Sequence, residues 1–175
     1  MTNRPTWTWL LVTLVVIVSD QYTKRLITAK FALFERLPVL PSFDLVRLHN
    51  TGAAFSFLAN ASGWQNWFFT AVAVAVSALI LWWLFRQPAG RLVVPLGLVM
   101  VLGGAIGNLI DRLQHGYVVD FLLFYYDRWS FPAFNMADSA ITVGVALLLF
   151  DGFFLEGRRD AGAGAGVGPT ASNGR

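Results

Sequence analysis

Two runs, Trp64–Phe85 and Leu92–Ile110, each pass through about 20 residues without one charged side chain, the length an α-helix needs to cross the hydrocarbon core of a bilayer. In lipid every backbone N–H and C=O must find its partner inside the segment, so such runs are expected to fold as helices. The connection between them, Arg86-Gln87-Pro88-Ala89-Gly90-Arg91, is short, polar and rich in helix breakers, which makes the pair an antiparallel hairpin. Composition agrees, because only 13% of residues are charged against about 25% in an average soluble domain. The scattered basic residues and a net charge of +3 give no nucleic-acid surface. Without cysteine there are no disulfides, thiolate metal sites, Cys nucleophile or Cys-borne lipid.

Two further segments, about Trp7–Lys24 and Asn135–Leu155, reach spanning length only if Asp20 and Asp138 lie inside them. The N-terminal run Thr6–Ser19 resembles a signal-peptide core, but it lacks a small-x-small cleavage site and passes straight into Asp20, Gln21 and Lys24, so it reads as an uncleaved helix. Four spans put both termini on one side of the membrane and segments 25–63 and 112–134 together on the other. Arg4, Arg86, Arg91, Arg158, Arg159 and Arg175 then face Lys24, Arg25, Lys30, Arg36, Arg47, Arg112 and Arg128 across the bilayer. Counting alone does not orient the chain, and only the short Arg86–Arg91 loop favours cytoplasmic termini. Between the first two spans, Phe43–Leu48 alternates, His49-Asn50-Thr51-Gly52 supplies a turn and Ala53–Leu58 follows, the pattern of a small strand pair at the membrane surface. The expected organisation is one membrane domain over 1–157, with spans near 7–24, 64–85, 92–111 and 135–155 and strands near 43–57, followed by a flexible low-complexity tail over 158–175.

Within this apolar chain two polar islands carry acids, Gly103–Phe121 with Asp111 and Asp120, and Phe134–Ile141 with Asp138. An ionised side chain at membrane depth costs roughly 2.5–3.5 kcal/mol or more, so each acid is a functional-site hypothesis. Asn108, Asp111 and Arg112 share one helix face, and Asn135 with Asp138 repeats the spacing at the start of the last span. Because the joining segment returns to the same membrane side, Asp120 can approach Asp138. Two neighbouring carboxylates do not both ionise readily, and the asymmetry suits water activation: one takes a proton from water while the other hydrogen-bonds to a substrate carbonyl.

Plainer readings compete at each acid. Asp138 fits a helix cap, Asp111 beside Arg112 a structural ion pair, and Asp20 with Lys24 a helix-end pair at i and i+4. Asp120 has no such local explanation and is the strongest catalytic candidate. His49 and His115 lack metal-ligand spacing and read as surface or interfacial groups. Ser139 beside Asp138, or Ser56 with Lys24, lies in no nucleophile motif. Gly103, Gly104 and Gly107 lack the ending of a phosphate loop and suit close helix packing instead, and the seven tryptophans suit interfacial belts. On residues alone, a magnesium-dependent lipid head-group transferase using Asp111, Asp120 and Asp138, and a proton-coupled transporter, remain beside water activation by an acid pair.

Five motifs taken in order resemble one family: Asp20-Gln21-Tyr22-Thr23-Lys24, Asn50-Thr51-Gly52-Ala53-Ala54-Phe55, Gly107-Asn108-Leu109-Ile110-Asp111-Arg112, Gly116-Tyr117-Val118-Val119-Asp120-Phe121 and Phe134-Asn135-Met136-Ala137-Asp138-Ser139. Together they are similar to bacterial lipoprotein signal peptidase, signal peptidase II, over about Trp7–Leu155. The resemblance implies an all-α membrane fold of four transmembrane helices with a small β cradle and a loop near Ala59–Trp64 on the outer face. It implies an aspartyl endopeptidase of the bacterial cytoplasmic membrane, multi-pass with both termini cytoplasmic. That enzyme removes signal peptides from prolipoproteins just before the diacylglyceryl-modified lipobox cysteine. By the same resemblance Asp120 and Asp138 are the catalytic pair. Asn50, Asn108, Arg112 and Asn135 position substrate and support the site, and Asp20, Lys24 and Asp111 hold the framework. No metal or cofactor is expected, and the chain is expected to act as a monomer on lipid-embedded substrate. Cyclic-peptide antibiotic inhibitors are expected to occupy the same site.

Overall fold

The computed structural model describes residues 6–52 and 64–155. Four long helices carry the fold: α1 (Trp9–Lys30), α2 (Trp64–Leu84), α3 (Val93–His115) and α4 (Met136–Phe150). A π-helical turn over Asp151–Leu155 extends α4. Among the described residues, α2, α3 and Met136–Leu155 are long and apolar enough to cross a membrane. Helix α1 matches them in length at 22 residues but carries Asp20, Lys24, Arg25 and Lys30 in its second half.

Helix α3 is the central element. In its most apolar stretch 61% of residues are buried, against 22% in α2 and 17% in the last span, so the outer helices keep most of their apolar surface turned outward. Leu98, Val99, Val101 and Leu102 of α3 form the core with Ile80 and Leu84 of α2. Close approach of α3 to α4 depends on small residues: a side chain at Gly104 would overlap the Ala137 carbonyl, and one at Gly144 would come within 2.7 Å of the Gly97 carbonyl. Gly103 lies against Val16 and Thr13 of α1 and Gly107 against Asp20, so the expectation that Gly103, Gly104 and Gly107 serve close helix packing holds. Helix α3 ends at Gly116, whose φ of 78° suits a glycine C-cap.

The β component is larger than a strand pair. Strands β1 (Arg36–Leu40), β2 (Phe43–Asn50), β3 (Val118–Tyr126) and β4 (Trp129–Ser130) form one antiparallel sheet in the order β1-β2-β3-β4. The partners of β2 are β1 and β3, while the expected second strand at 53–58, the loop near Ala59 and the tail fall outside the described residues. Strand β3 follows directly on α3, and its first four residues, Val118 to Phe121, are buried. The sheet is tied to α1 through Arg47, whose guanidinium donates to the carbonyls of Thr28 (3.2 Å) and Phe31 (2.9 Å).

Candidate active site

The site forms where the C-terminal halves of α1 and α3 meet the start of α4 and the β2–β3 ladder. Asp120 stands on β3 opposite Leu48, and Asn50 stands opposite Val118. Residues two apart on a strand share a face, so Asn50 is a diagonal neighbour of Asp120; its Nδ2 donates to Asp120 Oδ2 at 2.9 Å. Helix α4 starts with a capping box: the Asn135 Oδ1 accepts the Asp138 N–H at 3.0 Å, and Asp138 Oδ2 accepts the Asn135 N–H at 3.2 Å. The same Asn135 carboxamide donates to Asp120 Oδ1 at 2.7 Å. One residue thus bonds both carboxylates, Asp120 through its side chain and Asp138 through its backbone N–H, and Asp138 takes part in the cap of α4 as its plainer reading had it. Asn108 completes the arrangement from α3, donating to Asp138 Oδ1 at 2.7 Å.

The framework acids lie behind this pair. Lys24 is 3% exposed and bonds Asp20 at 2.8 Å and Asp111 at 3.0 Å. The expectation that Asp111 pairs with Arg112 is corrected. Asp111 accepts from Lys24, from Gln21 Nε2 at 2.8 Å and from the Val119 N–H at 3.1 Å, because adjacent side chains on a helix point to different faces. Arg112 instead lies over the Phe69 ring, 4.9 Å from its centroid, and its Nη1 has no protein partner. The Asp20–Lys24 pair is present but is no helix-end pair, since α1 continues to Lys30 and both groups are buried. Asp20 also accepts the Ala137 N–H at 2.9 Å, which fixes α4 against α1. Val119 is held at both backbone groups, its N–H by Asp111 and its carbonyl by Asn135 at 3.3 Å, so Asp120 follows a clamped peptide.

Burial pushes the Asp120 carboxyl up to about 7, and the charge of Asp138 adds to the effect. The Asn50 and Asn135 hydrogen bonds and the Lys24 charge act in the opposite direction. An acid held this way is still partly protonated at neutral pH, where an ordinary carboxyl is fully ionised, and a protonated carboxyl is the state required of one member of a water-activating pair. Asp111 has its oxygens occupied by three donors and is not turned into a shared ligand set with Asp120 and Asp138; among the described residues no group of His, Cys, Asp and Glu is arranged to hold a metal. His49 stacks on Tyr117 at 3.7 Å between ring centroids, with His115 on that ring at 5.7 Å. Burial, then the charges of Arg47 and His115, lowers the His49 pKa. Ser139 donates its hydroxyl to the Asn135 carbonyl at 2.9 Å, a bond within its own helix, and Ser56 lies outside the described residues.

Sequence reasoning left two contributors without a role. Gln21 bridges Asp111 and the Gly107 carbonyl (3.2 Å), and its place beside Asp20 in the first motif was the available signal. Phe69 supports Arg112 from an apolar helix in which nothing distinguished it.

Residues 12–154 match the family model described as signal peptidase (SPase) II. The chain belongs to the signal peptidase II family. Similar proteins carry the name lipoprotein signal peptidase: one from Acinetobacter baumannii is 52% identical over 151 residues, covering 86% of each chain. One from Shewanella woodyi is 54% identical over 145 residues, covering 83% of this chain and 81% of its own. The fold is similar to a bacterial membrane enzyme solved by the in meso method at 1.9 Å, with a TM-score of 0.75 and 28% identity over 85% of this chain and 94% of that one. A signal peptidase II is a protease of lipoprotein processing, and membership places this chain among membrane-embedded proteases that remove lipoprotein signal peptides.

Proposed function

We propose that this chain is an aspartyl endopeptidase that cuts prolipoproteins immediately before the diacylglyceryl-modified cysteine, with Asp120 and Asp138 activating the attacking water. The observation that carries this reading is Asn135, whose carboxamide donates to the Asp120 carboxylate on a strand while its backbone N–H donates to the Asp138 carboxylate on a helix. The pair acts with one proton between its two carboxyls. The ionised carboxylate removes a proton from water as the oxygen attacks the scissile carbonyl, and the protonated carboxyl donates to the carbonyl oxygen. The resulting tetrahedral diol collapses by breaking its C–N bond, with the departing amine taking a proton from the pair. The products are a signal peptide with a free carboxylate and a lipidated cysteine with a free amine. Asn50, Asn135 and Asn108 keep the reacting oxygens aimed, while Arg112, half-buried with its Nη1 unpartnered, supplies a donor for a substrate carbonyl. Water is the only co-reactant.

Placement in the membrane follows the same reading. Helix α1 acts as a fourth span, for Leu11, Leu14, Val15 and Val18 face outward like lipid-contacting residues. Asp20 and Lys24 are turned inward onto α3 and α4. Four spans put both termini on one side; in this reading that side is the cytoplasm, and the sheet and site lie at the outer face of the bacterial cytoplasmic membrane, where a lipid-anchored substrate meets the pair without leaving the bilayer. The enzyme works as a monomer, and cyclic-peptide antibiotics compete with substrate here. The test is mass spectrometry of a prolipoprotein incubated with the purified protein. Cleavage before the cysteine in the diacylglyceryl form, and none in the unlipidated form, is expected; equal cleavage of both forms contradicts the substrate assignment.

A further inference from the structure

Lys24 has three N–H donors, and two of them are accounted for by Asp20 and Asp111. The third goes to Asn108 Oδ1 at 2.9 Å, and Asn108 is the residue whose Nδ2 donates to Asp138 Oδ1 at 2.7 Å. A carboxamide has nearly the same shape when its oxygen and nitrogen are exchanged, so packing alone does not choose between the two orientations. Between an ammonium and a carboxylate only one choice works. The oxygen must face Lys24 and the nitrogen must face Asp138, since the flipped amide sets N–H against N–H and oxygen against oxygen at both ends. Asn135 also donates to Asn108 Oδ1, but at 3.3 Å, while its shorter bond goes to Asp120 at 2.7 Å. The dominant orienting contact is Lys24.

We propose that Lys24 is a positioning residue that locks the Asn108 carboxamide in its donor orientation and thereby fixes Asp138 Oδ1 for the reaction, a role beyond neutralising Asp20 and Asp111. The inference rests on the reading of Asp120 and Asp138 as the reacting pair. Removing Lys24 alone strands two buried acids and threatens the fold. The working variant is therefore Lys24→Met with Asp20→Asn, which leaves the net charge of the cluster unchanged. Asp111 keeps its bonds from Gln21 and Val119 in it.

The experiment is a double-mutant cycle against Asn108→Ala, on full-length protein in detergent with its melting temperature recorded. The Asp20→Asn single variant serves as the reference for the acid that was removed. A lock acting through Asn108 predicts that Lys24→Met/Asp20→Asn lowers kcat about 10²-fold relative to Asp20→Asn, with KM for the lipidated prolipoprotein changed by less than about twofold. It also predicts that the same change made in the Asn108→Ala background costs nothing further. If Asn108→Ala leaves too little turnover to measure, the cycle is read on the isotope-edited infrared carboxylate band of Asp138, with the same non-additivity expected. Additive losses, or a KM effect without a kcat effect, overturn the lock while leaving the peptidase reading intact. An unmutated protein that fails to cleave the lipidated substrate, or an Asp138→Asn variant that retains full activity, overturns the peptidase reading and the lock with it.

Discussion

Asn135 uses its side chain for two tasks that pull apart under substitution. Its oxygen caps α4 and its nitrogen holds Asp120. Serine also caps helices, so Asn135→Ser is expected to keep most of the stability, whereas Asn135→Ala loses about 1 kcal/mol. Both lose the Asp120 contact and are expected to lose cleavage about 10²-fold; thermal denaturation and turnover together separate the two tasks. A second prediction concerns protons. In Asp138→Asn the like charge beside Asp120 disappears, so the Asp120 titration is expected to move down from about 7 while remaining above 3.8, because burial is the larger cause and persists. Infrared titration of labelled aspartate checks this, and an unchanged midpoint contradicts it. The linkage sign follows. The folded Asp120 binds its proton more tightly than the unfolded chain, so native stability from this group falls as pH rises from about 4 to about 7. Asp120 stood out in the sequence because no cap or ion pair explained it, whereas the partner of Asp111 was not legible. The Lys24 contact crosses from α1 to α3, and sequence proximity favoured the wrong cation, Arg112.

At the scale of elements, the α3–α4 contact sets where Asp138 stands relative to the strand that carries Asp120. A methyl at Gly104 meets the Ala137 carbonyl, backbone that has no room to give. Gly104→Ala is therefore expected to cost about 1–3 kcal/mol and to reduce turnover by displacing the start of α4. Gly152→Ala, where nothing lies within 4 Å, is the control expected to change neither. Melting temperature and initial rate decide the matter. The helices were legible from apolar run length, and their ends were not. Helix α1 runs to Lys30 and α3 to His115, past the apolar runs, because Lys24 and Asp111 in these ends find each other as buried partners, which hydropathy does not register. Strand β3 was missed for a similar reason. Val118–Tyr126 is buried at its start and carries no clean alternation, and its pairing partner lies far back in the chain on β2.

The described residues join an apolar helical bundle to a small sheet at one end, and Asp20, Asp111 and Asp138 reach from their helices toward the junction where Asp120 stands on β3. Reporter fusions after residue 90 and at both termini are expected to report the cytoplasm, and fusions near Pro41 the outer side; the reverse pattern contradicts the orientation. A chelator is expected to leave cleavage unchanged, since Asp111 is committed to Lys24, Gln21 and Val119. The most direct measurement is cleavage of a diacylglyceryl-modified prolipoprotein by purified Asp120→Asn and Asp138→Asn proteins, each shown by its melting temperature to be folded. Loss of turnover in both, by several orders of magnitude, is the predicted result, and full activity in either contradicts the assignment of these two carboxylates as the catalytic pair.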